Sequence, residues 1–230
     1  MLRLVETEPA LAVAVLRTVN TNAHAQPTTR LDEACAQLGA DRLRELVAHC
    51  GLMGVDEYRA HDEETRTQAV RCAVAARLLA KRTRLIAPEA AYTLGLLHDA
   101  GAVLLRALFP AEMESLRSLA DDVRVEQEVA LFGVDHAQVG QWLLEACGVP
   151  RQLSVLVLTH HDVIRINAPG ALLLHLATVI AHADAPYKVA ALDALGSDRL
   201  ALLGLNRADL AEIHAAAASA LAQQQLAALC

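Results

Sequence analysis

The sequence predicts an all-α fold, on three observations. Apolar residues make up 54% of the chain and aromatics only 3%. Much of the apolar share is Ala and Leu, which favour helix, while strand-forming β-branched and aromatic residues are comparatively few. Apolar positions recur at helical spacing rather than in alternation, and Pro and Gly fall between these stretches, where they start and stop helices.

Taken in order, "EPALAVAVLRTVN" (Glu8–Asn20) is an amphipathic helix with Leu11, Val15 and Val19 on one stripe. "TNAHAQPTT" breaks it, with Pro27 marking a loop. Thr29 followed by Asp32 has the form of a capping box, and Gly39 stands where a helix would end. "ADRLRELVAHCG" makes a further short helix stopping at Gly51. Asp56 to Arg84 reads as one long helix, polar first and apolar later. Pro88 opens "PEAAYTLGLLHDAGAVLLRALF" as another, and Pro110 ends it and begins "PAEMESLRSLADD". "VRVEQEVALFG" follows, then "DHAQVGQWLLEACG", N-capped by Asp135 and closed at Gly148. Pro150 opens "PRQLSVLVLTHH", Asn167 to Gly170 is a loop, and "ALLLHLATVIAHAD" is helical. Asn206 caps the last helix, Ala-rich with a "QQQ" stretch, which packs on the core or supports a homodimer. Neither a repeat nor a flexible Gly/Ser linker divides the chain. It reads as a single domain over 1–230, with an N-terminal helical lobe over 1–55 and a helical core over 56–230.

The formal net charge of −7 argues against a non-specific phosphate-backbone binder. Two short helices around Gly39 imitate a helix-turn-helix, but Asp32, Glu33, Asp41 and Glu45 oppose Arg42 and Arg44, so nucleic acid is not expected as a partner. The N-terminal "MLRLVETEPA" carries Glu6, Glu8 and Pro9 where a secretory leader is apolar. No uncharged run reaches the roughly 18 residues of a membrane span. Five cysteines without CxxC spacing read as reduced thiols. The expectation is a cytoplasmic protein that does not engage membrane.

The chemistry lies in a set of ionisable residues. His98 and Asp99 stand together inside the oily "LLHDAGAVLL"; His136 begins "HAQVG"; His160 and His161 are adjacent; Asp184 follows His182. Burying such groups is costly unless something partners them. Imidazole with carboxylate suits a divalent metal such as Mn, Fe, Zn or Ni, and helical bundles build such sites from several helices. The alternative is that single histidines bond backbone carbonyls and that the His160–His161 pair serves a helix C-terminus.

The order His-Asp, His, His-His, Asp over a helical chain resembles the HD superfamily of metal-dependent phosphohydrolases. The fuller resemblance is to its HDOD branch, HD-related output domains of bacterial signalling proteins. It is carried by "EPALAVAVLRTVNTNAH", "TRLDEACAQLGADRLREL", "AAYTLGLLHDAGAVLL" and "DHAQVGQWLLEACGVPRQLSVLVLTHHD". The resemblance implies an HD-like helical bundle in which His98, Asp99, His136, His160, His161 and Asp184 are metal-ligand positions, Asp99 being the catalytic one in active relatives. Two positions depart from the catalytic pattern. Gln68 stands where the first His is expected, with His61 two turns earlier, and Ala102 replaces the Lys that would help hold phosphate. No "GYP" follows His161. The expected function is therefore a non-catalytic signalling module that acts through a partner protein and needs no organic cofactor. The alternative is a metal-dependent phosphohydrolase with an incomplete ligand set. In the non-catalytic case the His and Asp side chains are expected to hydrogen-bond one another, with Gln68 as a neutral substitute.

Overall fold

A computed structural model of the chain describes residues 1–52, 63–161, 168–181 and 196–228. Among these residues all regular structure is helical. Helix α1 (Leu2–Thr7) precedes α2 (Pro9–Asn20), the two separated by the extended backbone of Glu8. The periodicity begins at Pro9, and α1 is too short to show a period. Helix α3 (Leu31–Leu52) contains the two helices expected around Gly39, whose φ of 74° and ψ of 167° break the helix there. It runs on through Gly51 rather than stopping at it. The turn before it is made by Thr28 rather than a Thr29–Asp32 box: the Thr28 hydroxyl accepts from the Arg30 N–H and donates to Glu33.

Helix α4 (Glu63–Thr83) is the described part of the long helix; His61 lies outside the described residues. The stretch expected to be a single helix from Pro88 is two, α5 (Pro88–Leu97) and α6 (Ala100–Leu108), broken at His98 and Asp99. Next come α7 (Pro110–Leu116), which ends earlier than its sequence suggests, and α8 (Asp121–Phe132), closed by left-handed Gly133. Helix α9 (His136–Ala146) has the expected cap, the Asp135 carboxylate accepting from the Gln138 N–H at 2.7 Å. Helix α10 (Arg151–Leu158) stops at Thr159, so His160 and His161 follow the helix instead of ending it. Helix α11 (Pro169–Ala181) takes Pro169 and Gly170, expected in a loop, as its first residues. The last helix, α12 (Arg207–Ala228), is capped by Asn206, whose Oδ1 accepts from the Ala208 and Asp209 N–H groups.

Helix α4 is the centre of the bundle and packs against α5, α11 and α12, while α6 packs on α9 and α9 on α10. Small residues set how closely these helices approach. Ala69, Ala73, Ala76 and Ala80 are buried along α4. A Cβ on Gly95 would lie 2.8 Å from the Ala73 Cα, so α5 rests directly on the α4 backbone. Val5, Leu11, Val15, Leu16 and Val19 of α1 and α2 belong to the same buried cluster as Leu79, Leu96, Leu97 and Leu174. Each such side chain contributes roughly 1.5–3 kcal/mol by leaving water. Leu210, Ile213 and Ala217 bring α12 into that core. A satellite cluster of Ala102, Leu105, Met113 and Leu116 lies between α6 and α7. Cys72 and Cys147 are buried free thiols and Cys35 is a half-buried one. Among the described residues no helix is long and apolar enough to cross a membrane.

Candidate metal centre

Two glycines build the floor of the site. A Cβ on Gly101 would lie 2.0 Å from the His136 carbonyl oxygen and 2.5 Å from the Gly140 N. The first turn of α6 therefore lies backbone to backbone on the first turns of α9, a contact only Gly allows. This seats the His98–Asp99 break beside His136. Asp99 occupies the N-cap position of α6, yet its carboxylate makes no cap bond. It turns instead toward three imidazoles. Asp99 Oδ1 is 3.4 Å from His136 Nε2 and 3.6 Å from His160 Nε2, while Oδ2 is 3.3 Å from His98 Nε2.

The rings are aimed by their other nitrogens. His98 Nδ1–H donates to the Gly95 carbonyl at 2.7 Å and His160 Nδ1–H to the Val157 carbonyl at 2.6 Å. His136 Nδ1–H donates to Glu128 Oε2 at 2.6 Å, and His136 Nε2 is 2.8 Å from His161 Nε2. The His160–His161 turn is held from α11, where His175 Nδ1–H donates to the His160 carbonyl at 2.8 Å. His98, His136 and His160 each commit Nδ1 to an acceptor, so in its neutral form each of these rings turns Nε2 inward, the arrangement that outer hydrogen bonds impose on metal-binding imidazoles. Ligand atoms of Asp99, His136, His160 and His161 all lie within 4.8 Å of one another.

The electrostatics follow from burial and from Asp99. Burial disfavours a charged ring at His98, but neighbouring Asp99 and Cys72 hold its pKa well above the ordinary imidazole value. Burial also works against the Asp99 carboxylate, yet His98, His160 and His136 keep it well below the ordinary range. Burial pushes His160 down, and burial together with His160 and His136 pushes His161 further down. Three buried atoms in this small volume have no hydrogen-bond partner: His98 Nε2, His160 Nε2 and Asp99 Oδ1. Such atoms are costly to bury unless something satisfies them. An imidazole–carboxylate donor set with orphaned lone pairs facing one point fits a borderline divalent cation.

The expected residues divide into groups. Asp99, His136, His160 and His161 come together, and His98 stands against Asp99 at their edge. Asp184 and His182 lie outside the described residues. Gln68 is half-buried on α4. Ala102 is buried in the apolar satellite cluster with Leu105, Met113 and Leu116. Sequence reasoning missed Glu128 and His175. Glu128 is fully buried on α8 and accepts through Oε2 from both the backbone N–H and the ring of His136. Its place in the charged run "VRVEQEVALFG" gives no sign of this.

The HDOD domain family matches residues 1–163 of the chain. Among solved structures, the MmoQ response regulator from Methylococcus capsulatus str. Bath is 28% identical, with 92% of this chain and 87% of that one covered at a TM-score of 0.74. An HDOD domain protein of unknown function from Geobacter sulfurreducens shares the fold at 22% identity, with 98% and 83% of the two chains covered and a TM-score of 0.52. No curated protein matches this chain.

Proposed function

The chain belongs to the HDOD domain family, and from that premise we propose that it is a non-catalytic bacterial signalling module that acts on a partner protein and carries one divalent cation in its helical core. The observation that carries the proposal is the pairing of a convergent, buried Asp99–His136–His160–His161 cluster with an apolar wall at Ala102. The cluster has donors for an ion, while the position where active relatives hold phosphate with an ammonium group packs against Leu105 and Met113. The similarity to a protein described as a response regulator supports a signalling role. Asp99, His136, His160 and His161 would hold the cation, with Mn, Fe, Zn and Ni the ions that suit the donors. When bound, such an ion supplies Lewis acidity and joins the turns before α6 and after α10 to the start of α9.

The second reading, a metal-dependent phosphohydrolase, is favoured by the same four ligands. One experiment separates the two. The purified protein is supplied with Mn²⁺, Fe²⁺, Zn²⁺ or Ni²⁺ and offered cyclic dinucleotides, nucleoside monophosphates and a chromogenic phosphodiester. The regulatory reading predicts no turnover above the metal-only blank. Turnover that disappears in Asp99→Ala would establish the enzyme.

A further inference from the structure

We propose that Glu128 is the positioning residue of the cluster: it fixes the tautomer and direction of His136, and makes α8 part of the site. This deepens the metal-bearing reading above and rests on it for the ion, though not for the tautomer.

Glu128 is 0% exposed, and a lone carboxylate is rarely buried without strong partners. Its Oε2 receives two donors, the His136 backbone N–H at 2.8 Å and the His136 Nδ1–H at 2.6 Å. The backbone bond satisfies an N–H that the first turn of α9 leaves without a helical acceptor. The ring bond settles the chemistry. A carboxylate only accepts, so the proton of the neutral imidazole sits on Nδ1 and the lone pair on Nε2. Without an ion that lone pair accepts from His161 Nε2–H, 2.8 Å away, and lies 3.4 Å from Asp99 Oδ1. Without an acceptor at Nδ1 the ring is free to carry its proton on Nε2, which removes one donor from the cluster. A carboxylate on the far nitrogen of an imidazole holds the ring's orientation in the same way in carboxylate–histidine–metal arrangements. The second oxygen, Oε1, is buried without a hydrogen bond, with Arg124 Nε 3.9 Å away. Arg124 is in turn 3.1 Å from Asp121 at the start of α8. The site thus reaches from Asp99 through His136 and Glu128 to the N-terminal turn of α8.

The test compares the wild type with Glu128→Gln, which keeps an acceptor oxygen, and Glu128→Leu, which removes it at similar volume. Nitrogen-15 NMR of the His136 ring reads the tautomer in metal-free protein, and calorimetry with Zn²⁺ alone reads affinity. In the wild type and Glu128→Gln, His136 is expected as the Nδ1–H form. In folded Glu128→Leu the Nε2–H form is expected to appear and Zn²⁺ affinity to fall about 10–100-fold, with Glu128→Gln losing less. If Glu128→Leu keeps both the Nδ1–H tautomer and wild-type affinity, the proposal is overturned. If Leu unfolds the protein, Glu128→Gln decides: an Nε2–H ring in that variant, whose acceptor remains, overturns the proposal. If the wild type takes up no Zn²⁺, the metal reading fails by itself and the tautomer still decides the role of Glu128.

Discussion

Gly101→Ala tests the way the site is built. The added Cβ would stand 2.0 Å from the His136 carbonyl oxygen and 2.5 Å from the Gly140 N. Ordinary contact begins at 3.4 Å, so the two helices must part by about 1.4 Å at that point. The atoms met are backbone, with no flexible side-chain tip to swing aside. Overpacking of this kind costs about 1–3 kcal/mol, and its rigidity places it near 3. Replacing Gly by Ala in a helix recovers up to about 1 kcal/mol, leaving a net loss of about 2. For a chain of this size that lowers Tm by about 4–8 °C. The assay is thermal unfolding by circular dichroism, with Gly140→Ala as comparison. There the nearest atom to the new Cβ is Val157 Cγ1 at 3.2 Å, a side-chain methyl that can yield, so a smaller drop is expected. Equal melting of Gly101→Ala and wild type would refute the backbone contact and with it the placement of Asp99 beside His136.

Two further outcomes are expected. His160, His161 and His175 are held below the usual imidazole value of 6.5 by burial, so their contribution to stability is complete above 6.5 and is lost as pH falls through their lowered folded values. His98, raised above 6.5, has the opposite sign: its contribution is complete below 6.5 and is lost as pH rises through its folded pKa. Asp99, lowered from 3.8, acts only in a more acidic range. The three rings therefore act below 6.5 and His98 above it, so the Tm of metal-free protein should fall from about pH 6.5 to 5.5, and a Tm that rises over that interval would contradict the burial of these rings. Arg77 ties α1, α4 and α5 together, with Nη2 3.2 Å from Glu6 and 2.5 Å from Glu89 and its guanidinium carbon 3.9 Å above the Tyr92 ring. A Lys has no planar guanidinium to stack on that ring while it reaches both carboxylates. Arg77→Lys should cost about 1 kcal/mol, about 2–4 °C in Tm, and wild-type melting of this variant would show that charge alone suffices.

What could be read from the sequence was local chemistry. The Asp135 cap, the Asn206 cap, the prolines opening α5 and α7, and the break at Gly39 all depend on residues within one turn. The ligand types were legible too, because His98, Asp99, His136, His160 and His161 contrast with the apolar stretches around them. The division between α5 and α6 was not legible. Nothing in "LLHDAGAVLL" is a strong helix breaker, and the break is fixed by the Gly101–Gly140 contact, 39 positions apart in sequence. Glu128 was hidden for the same reason. Glu126, Gln127 and Val129 beside it are exposed, and only its placement against His136 separates it from a solvated helix face. Pro169 and Gly170 read as a turn pair, yet Pro is tolerated at a first helical position, and that is where α11 uses it.

The central claim is that four side chains from three places in the fold, the turn before α6, the start of α9 and the turn after α10, hold one ion. The direct measurement is elemental analysis of protein purified without chelator, repeated on Asp99→Ala and His136→Ala. The account predicts about one equivalent of Mn, Fe, Zn or Ni in the wild type and a large loss in both folded variants. A wild type with no metal above background, and none taken up on dialysis against these ions, would contradict it and leave the cluster as hydrogen-bonded packing alone.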